Sequence, residues 1–289
     1  MNPVPKTVPN AVRAGFSRGW IEFKNSFTSP GEVIGGYLAM PLVFIVLTLF
    51  VGDDTVDGSG TPVAAMVMTG GVSVLLLMLG TATVAQVIGS EREDGTLLRA
   101  RVAPAGMVGY AVGKTWHLVT MSAAALALML APGLVLIDGF AVQGPTGAFT
   151  LVWVTVLSLT ALAPIGAVLG ATLSNPRTGV GLIMIPVIGL TMVSGIMSPI
   201  SVMPPWLQTV AQVFPVYWSG MGVRAALLPE AHAAAELAGT WQLPQVAGVL
   251  ALWAVVGFVA AQWVLRRMTR RTSGSRVQAA REKAMQRAY

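Results

Sequence analysis

Long apolar stretches alternate with short polar segments along this chain of 289 residues. A helix that crosses a bilayer needs about 20 mostly apolar residues, because the hydrocarbon core is about 30 Å thick and each residue adds about 1.5 Å. Six stretches meet this requirement, so the pattern predicts an all-α integral membrane protein with six transmembrane helices. The predicted spans are Val33–Val51, Pro62–Ile88, Tyr110–Ile137, Phe149–Leu173, Gly179–Ser198 and Leu243–Leu265.

A helical periodicity of another kind precedes the first span. Within residues 10–29, apolar side chains recur every three or four positions and so share one face of a helix. The segment is too polar to cross a membrane, and we expect an N-terminal amphipathic interfacial helix whose apolar stripe lies in lipid. It is either a plain membrane anchor or a mechanical element that links a partner to the first span. The stripe comprises Val12, Phe16, Trp20, Phe23 and Phe27.

Prolines interrupt the chain after the predicted fifth span. In the segment 199–242 they bound a short amphipathic piece, followed by aromatic residues of the kind that prefer membrane interfaces. The pattern predicts an extracellular helical hairpin that re-enters the outer leaflet, and the alternative is a helix lying flat on the outer surface. The hairpin residues are Pro199, Pro204, Pro205, Trp206, Phe214 and Pro215.

Composition supports the membrane assignment. Hydrophobic residues make up 54% of the chain and charged residues only 10%, whereas a soluble domain has about 25% charged residues. The absence of cysteine excludes disulfides and thiolate metal sites, and the two histidines lie far apart. We predict one domain over residues 1–289, with a disordered leader (1–9), the interfacial helix (10–29), the six-span core (33–265) and a basic tail (266–289).

The distribution of Lys and Arg sets the orientation, because these residues are retained on the cytoplasmic side of a membrane. With both termini in the cytoplasm, all of the 18 Lys and Arg residues except Arg224 fall on that side. Abundant Ala, Gly, Val and Arg is typical of GC-rich bacterial genomes, so we expect a bacterial inner (cytoplasmic) membrane. The net charge of +6 suits contact with anionic membrane lipid. Since the basic residues are dispersed and lack interleaved aromatics, nucleic-acid binding is not expected.

A compact charged cluster separates the second and third spans of this otherwise weakly charged chain. Gly95 permits a sharp backbone turn, and Thr96 is suited to cap a short helix that follows. The charges and the leucines behind them suit contact with a soluble partner, and the alternative is a solvated loop that only sets topology. We predict a docking site formed by Glu91, Arg92, Glu93, Asp94, Gly95, Thr96, Leu97 and Leu98.

Catalytic chemistry is missing from the sequence. The segment 109–115 resembles a phosphate-binding loop, but three residues separate Gly109 from Gly113 where that motif needs four. No catalytic constellation is visible, so we expect neither an enzyme nor a cofactor in this chain. The predicted spans carry no charge near their middle, which argues against a proton-coupled carrier. Lys114 and His117 lie near the start of the third span, where we expect them to snorkel toward the headgroups.

Three segments resemble, in their order and spacing, the permease subunits of type-2 ABC exporters: Asn10–Phe27, Ile88–Pro104 and Ser194–Pro215. The resemblance covers nearly the whole chain. It implies that the first segment is the family's connecting helix and that Glu91–Thr96 belong to a coupling helix, which docks on a separate ATPase. It also implies two copies of that ABC ATPase, where ATP and Mg²⁺ bind, and a second permease chain in a homodimer or heterodimer.

The resemblance further implies export by alternating access, through a pathway lined by the second and fifth spans. A Met-rich, uncharged interior suits a hydrophobic or amphipathic cargo, such as a drug or a lipid-like molecule, and hence efflux and multidrug resistance. The rival interpretations are an ATP-independent channel or facilitator and a membrane scaffold that transports nothing. The candidate pathway residues, whose alternative role is ordinary helix packing, are Thr81, Thr83, Gln86, Met184, Thr191, Met192 and Ser194.

Overall fold

Helices form the regular secondary structure of the part of the chain that a computed structural model describes. The described residues are 7–51, 54–56, 59–93, 100, 104–172, 176–197 and 200–271. The α-helices are α1 (Thr7–Ser26), α2 (Pro30–Glu32), α3 (Ala39–Val51), α4 (Val63–Met78), α5 (Val84–Glu93), α6 (Gly106–Leu136), α7 (Gly144–Thr172), α8 (Pro176–Val193), α9 (Pro205–Val213), α10 (Pro215–Leu227) and α11 (Leu243–Arg271).

Five helical stretches among the described residues are long and apolar enough to cross a membrane. They match all the predicted spans except the fifth, with ends shifted by a few residues. The predicted fifth span, Gly179–Ser198, falls on α8, which ends at Val193 before a turn where Gly195 has a φ of +69°. That span stays a prediction. The five stretches are Val33–Val51, Val63–Glu91, Gly106–Leu136, Gly144–Thr172 and Leu243–Val264.

Two of these stretches contain a wider, π-helical turn. Val33–Leu38 joins α2 to α3, and Leu79–Thr83 joins α4 to α5. At the second turn the Thr81 hydroxyl donates to the Leu77 carbonyl at 2.5 Å, and Gly166 of α7 packs against the local backbone. A π-helical turn changes the direction in which the following side chains point, so this one sets the orientation of α5.

Helix α4 lies at the centre of the bundle. Its residues 65–77 are buried, and α3, α6, α7 and α10 pack around it. A helix that is apolar on every face is stable only where every face is covered. Its glycines admit the neighbours closely, since Gly70 lies against the backbone of Ile196 and Gly71 against Phe44 and Met129.

The chain ends depart from the predicted boundaries. Helix α1 begins at Thr7, with Pro9 in its first turn where no helical N–H is required. Residues 7–9 of the predicted disordered leader are therefore helical, while residues 1–6 lie outside the described residues. At the other end α11 continues to Arg271, and residues 272–289 of the predicted tail lie outside them.

Helices α9 and α10 form a bent pair after α8. Each begins with a proline at its first position, where proline is favoured. The predicted amphipathic piece is α9, and α10 is buried against α4, α7 and α11. Arg224 of α10 is 3% exposed, with its Nε 2.6 Å from Glu236 Oε1 and its Nη1 donating to the Gly195 carbonyl at 3.1 Å. The hydrogen bond to Gly195 thus ties α10 to the turn after α8, and the ion pair ties it to the segment that follows α10.

The segment after α10 contacts the short loop before α4. Buried His232 places Nδ1 3.4 Å from Ser59 Oγ and stacks on the indole of Trp241, with 6.1 Å between ring centroids. The Trp241 Nε1–H donates to Glu230 Oε2 at 2.9 Å. Residues 59 and 230–241 therefore form a cap at one end of the bundle.

Candidate functional site

Helices α1 and α6 cross with their backbones almost in contact. Gly15 and Gly19 of α1 face Gly109 and Gly113 of α6. A Cβ at Gly15 would lie 2.5 Å from the Gly109 carbonyl oxygen, and a Cβ at Gly109 would lie 2.8 Å from the Ala11 carbonyl oxygen. Both helices have the Gly-x-x-x-Gly spacing that puts small residues one turn apart on one face. This crossing holds α1 against the start of α6.

The crossing brings together charged residues from three helices. Lys114 Nζ of α6 lies 2.7 Å from Glu22 Oε2 of α1 and 2.6 Å from Glu91 Oε1 of α5. The Tyr110 hydroxyl donates to the other oxygen of Glu91, and Arg18 Nε donates to Glu22 Oε1 at 2.9 Å. We call Arg18, Glu22, Glu91, Tyr110 and Lys114 the charged cluster. It joins α1, α5 and α6 through one ammonium group.

The electrostatics of the cluster favour the charged form of Glu22. Burial by itself would raise the pKa of Glu22, but hydrogen bonds and charge from Lys114 and Arg18 outweigh it and lower that pKa below 4.5. Lys114 has 23% of its side chain exposed and is engaged on two sides. Lys114 therefore binds carboxylates on two neighbouring helices, and its snorkelling toward headgroups stays a prediction.

The predicted docking residues begin at the end of α5. Glu91 is 8% exposed, and its carboxylate binds Lys114 and Tyr110 rather than facing outward. Arg92 and Glu93 continue α5 to its last residue. The remaining docking residues, Asp94, Gly95, Thr96, Leu97 and Leu98, lie outside the described residues. The charged cluster thus holds the end of α5, directly before the segment that begins at Asp94.

The predicted aromatic stripe of α1 forms a chain of ring contacts. Phe16 meets Trp116 of α6 edge-on at 5.1 Å, and Phe27 stacks on Tyr37 of the first π-helical turn at 4.8 Å between ring centroids. Phe23 packs between Trp20 and Phe27, at 5.3 and 5.2 Å. Val12 is half-buried, whereas Phe16, Trp20 and Phe27 keep over two-fifths of their surface exposed. The stripe therefore contacts both the third and the first span.

The candidate pathway residues do not converge on one cavity. Thr81 and Ser194 are buried, and the hydroxyls of Thr81, Thr191 and Ser194 donate to carbonyls of their own chain segment. Thr83 is half-buried, Gln86 and Met192 are exposed, and Met184 belongs to α8. A cavity of about 560 Å³ lies instead between α6 and α7. The assignment of these residues to a pathway stays a prediction.

The hairpin residues occupy the starts and ends of α9 and α10. Pro204 precedes α9, Pro205 opens it, and Trp206 is two-thirds exposed. Phe214 separates the two helices and stacks on Trp253 of α11 at 6.5 Å, while Pro215 opens α10 and is buried. Pro199 lies outside the described residues.

Sequence reasoning missed the residues that build the charged cluster around Glu91. The sequence assigns no role to Glu22, Tyr110 marks only the start of the predicted third span, and Gly109 and Gly113 belong to the incomplete phosphate-binding motif. The available signal was the Gly-x-x-x-Gly spacing, present in residues 15–19 and again in residues 109–113. Within the described part of the chain, no group of three or more His, Asp or Glu side chains is placed to hold a metal ion.

The chain belongs to the ABC-2 type transporter family, whose family model matches residues 18–228. It is therefore an ABC-type transporter permease, a multi-pass membrane subunit of a generally non-catalytic class whose partner is an ABC ATPase. The matched stretch includes every residue of the charged cluster. Comparison with curated proteins gives no match.

Proposed function

We propose that this chain is the membrane-spanning subunit of an ATP-driven exporter, which forms the pathway for a hydrophobic or amphipathic cargo and couples to a separate ATPase subunit. The observation that carries the proposal is the position of Lys114, which binds Glu22 on one side and Glu91 on the other. Glu91 is the first of the residues assigned to the proposed coupling helix, Glu91–Thr96. Motion of that helix would reach α1 and α6 through these ion pairs.

The proposed architecture has six spans, with α8 as the fifth and both termini in the cytoplasm of a bacterium. Helices α9 and α10 form the re-entrant hairpin on the outer side. The burial of α10 among α4, α7 and α11 supports its place inside the bundle as the second helix of the hairpin. Two permease chains, identical or different, pair above two ATPase subunits that bind ATP and Mg²⁺.

In the proposed mechanism, ATP binding closes the ATPase pair and displaces the coupling helices of the two permeases. The end of α5 follows, because Glu91 is one of the residues assigned to the coupling helix. Lys114 passes the displacement to α6. Because α1 and α6 are closely packed at Gly15 and Gly109, α1 moves together with α6. Tilting of these helices opens the pathway outward. The lack of charged side chains near the middle of the spans suits an uncharged or amphipathic cargo.

Reconstitution tests this function directly. The chain is purified with its ATPase, placed in liposomes, and assayed for efflux of a hydrophobic dye with ATP, without ATP and with a hydrolysis-deficient ATPase. We expect efflux only with ATP and an active ATPase. Efflux without either would indicate a channel or facilitator, and cargo-independent ATP hydrolysis without efflux would indicate a scaffold. Both results contradict the proposal.

The docking segment has its own test. Replacing Glu93 and Asp94 together by alanine is expected to reduce co-purification of the ATPase several-fold, because two charges at the proposed contact are lost. Asp138→Ala is the matched control, since Asp138 is an exposed acid at the other end of α6. Equal recovery of the ATPase with both variants would place the docking surface elsewhere.

A further inference from the structure

Aromatic and basic side chains share one exposed side of α1. Successive helical residues lie about 100° apart around the axis, which places two aromatic and two basic residues within a sector of about 80°. In order around the helix they are Phe16, Trp20, Arg13 and Lys24, and all four are exposed. Gly15, which packs on α6, lies about 100° away from Phe16, so contact with α6 leaves most of this sector uncovered. We call these four residues the basic-aromatic face.

The two cations of the basic-aromatic face have no carboxylate partner among the described residues. Glu22, the only acid of α1, lies on the opposite side of the helix and binds two other cations there. Neither Arg13 nor Lys24 forms an ion pair within the described part of the chain. Lys24 Nζ instead lies 5.6 Å from the centroid of the Trp20 ring, which is a cation–π distance. The face therefore presents two positive charges to whatever covers it.

The basic-aromatic face lies where two spans begin. Phe16 contacts Trp116 near the start of the third span, and Phe27, just after α1, stacks on Tyr37 in the first turns of the first span. The ends of spans are where lipid headgroups meet acyl chains, and aromatic side chains are enriched there. Phe16 and Trp20 keep 45% and 43% of their surface exposed. A helix at this level can place its rings among acyl chains and its cations among phosphates.

We propose that the basic-aromatic face binds anionic phospholipid, whose phosphate groups contact Arg13 and Lys24 while the upper part of the acyl chains covers Phe16 and Trp20. Each basic residue near a membrane surface favours anionic lipid by about fivefold in affinity. In a zwitterionic lipid the choline ammonium offsets the phosphate, so the two cations gain little. A soluble acidic partner would neutralise the cations but leave the rings in water. The proposal goes beyond the proposed export function, because lipid binding needs neither ATP nor cargo.

Photolabelling of the purified full-length chain in nanodiscs tests the site. The probes are phosphatidylglycerol and phosphatidylcholine that carry the same diazirine near the top of the same acyl chain. We expect phosphatidylglycerol to label α1 at least tenfold more than phosphatidylcholine, and both lipids to label the exposed residues of α11 equally. Unlabelled phosphatidylglycerol should compete for α1, and high salt should reduce the preference because it screens exposed charges.

Matched variants separate charge from shape. Arg13→Gln and Lys24→Gln should each lower the preference for phosphatidylglycerol about fivefold, and the double variant should label α1 equally with both lipids. The Arg13→Lys/Lys24→Arg variant is the control, because it keeps both charges and should keep the preference. Both residues are exposed and lack ion pairs among the described residues, so the variants should fold. Unchanged labelling of α11 reports that they have.

The same measurement on the complex with the ATPase decides between lipid and protein as the occupant of this face. We expect the preference for phosphatidylglycerol on α1 to persist when the ATPase is bound. Loss of α1 labelling in the complex would show that the ATPase covers the face, and this result would overturn the proposal. Equal labelling of wild-type α1 by the two lipids, or a full preference in the Arg13→Gln/Lys24→Gln variant, would overturn it as well.

Discussion

Lys114 Nζ lies 2.6 Å from Glu91 Oε1, and this ion pair joins the start of α6 to the end of α5. The same ammonium group binds Glu22 on α1 at 2.7 Å. Because Glu91 has only 11% of its side chain exposed, loss of this partner would leave a poorly hydrated carboxylate. The three helices are therefore coupled at the point where the proposed coupling helix begins.

The glycine crossing between α1 and α6 gives the first prediction. Gly15→Val should destabilise the protein by about 1–3 kcal/mol, because the new side chain meets the Gly109 carbonyl and the helices must separate. Gly31→Val is the control, since no atom lies within 4 Å of a Cβ built at Gly31. Denaturant unfolding in detergent measures the loss, and limited proteolysis should show α1 becoming accessible. Equal stability of the two variants would contradict close packing at this crossing.

The buried ion pair of Arg224 and Glu236 gives the second prediction. Arg224→Met should cost about 3–5 kcal/mol, because Glu236 then remains buried without its partner. Adding Glu236→Leu to that variant should restore most of the loss, since the lone charge is removed as well. The free energy of unfolding is measured for the single and the double variants. Strictly additive losses would show that the two residues act independently.

The cap formed by residues 59 and 230–241 should weaken on acidification. The pKa of His232 lies below its ordinary value of 6.5, because burial and the nearby Arg224 disfavour the imidazolium, although Glu236 acts in the opposite direction. The unfolded chain therefore takes up this proton first as the pH falls. The stability contribution is complete above pH 6.5 and falls between 6.5 and the lower pKa of the folded state, by at most about 1.4 kcal/mol per pH unit.

Thermal unfolding measures this effect. Wild-type protein should lose more stability between about pH 7.5 and pH 5.5 than the His232→Asn variant, which has no imidazole to protonate there. If His232→Asn and wild type respond equally to pH, His232 is not the titrating group.

Periodicity and length were enough to predict the helical class and five of the spans, because crossing a bilayer demands a long apolar run. Helix ends were less predictable. Pro62 and Gly139 mark real ends, but α7 begins at Gly144, five residues before the apolar run starts at Phe149. Polar and small residues extend a helix beyond its hydrophobic part, and only contacts with neighbouring helices decide how far.

The site was predicted less completely than the fold. The sequence predicts Glu91 as a docking residue that faces a partner, whereas its carboxylate is buried against Lys114 and Tyr110. Its partner Lys114 is 23 residues away and Glu22 is 92 residues from Lys114, so neither pairing leaves a local pattern. Likewise, the sequence shows Arg224 only as the one basic residue outside the predicted cytoplasmic side, because its partner Glu236 lies beyond the end of α10.

In the proposed mechanism, Lys114 transmits motion between the ATPase and the spans. Its most direct test is the amount of dye exported per ATP hydrolysed, measured in liposomes for Lys114→Met and for Arg18→Met. Arg18 is the matched control, because its exposed ion pair with Glu22 contributes little. We predict that both variants bind the ATPase in wild-type amounts. Export per ATP should fall about tenfold or more for Lys114→Met alone, the usual scale of a coupling energy. If the Lys114→Met variant still binds the ATPase and exports as much dye per ATP hydrolysed as the wild type, Lys114 does not transmit this motion.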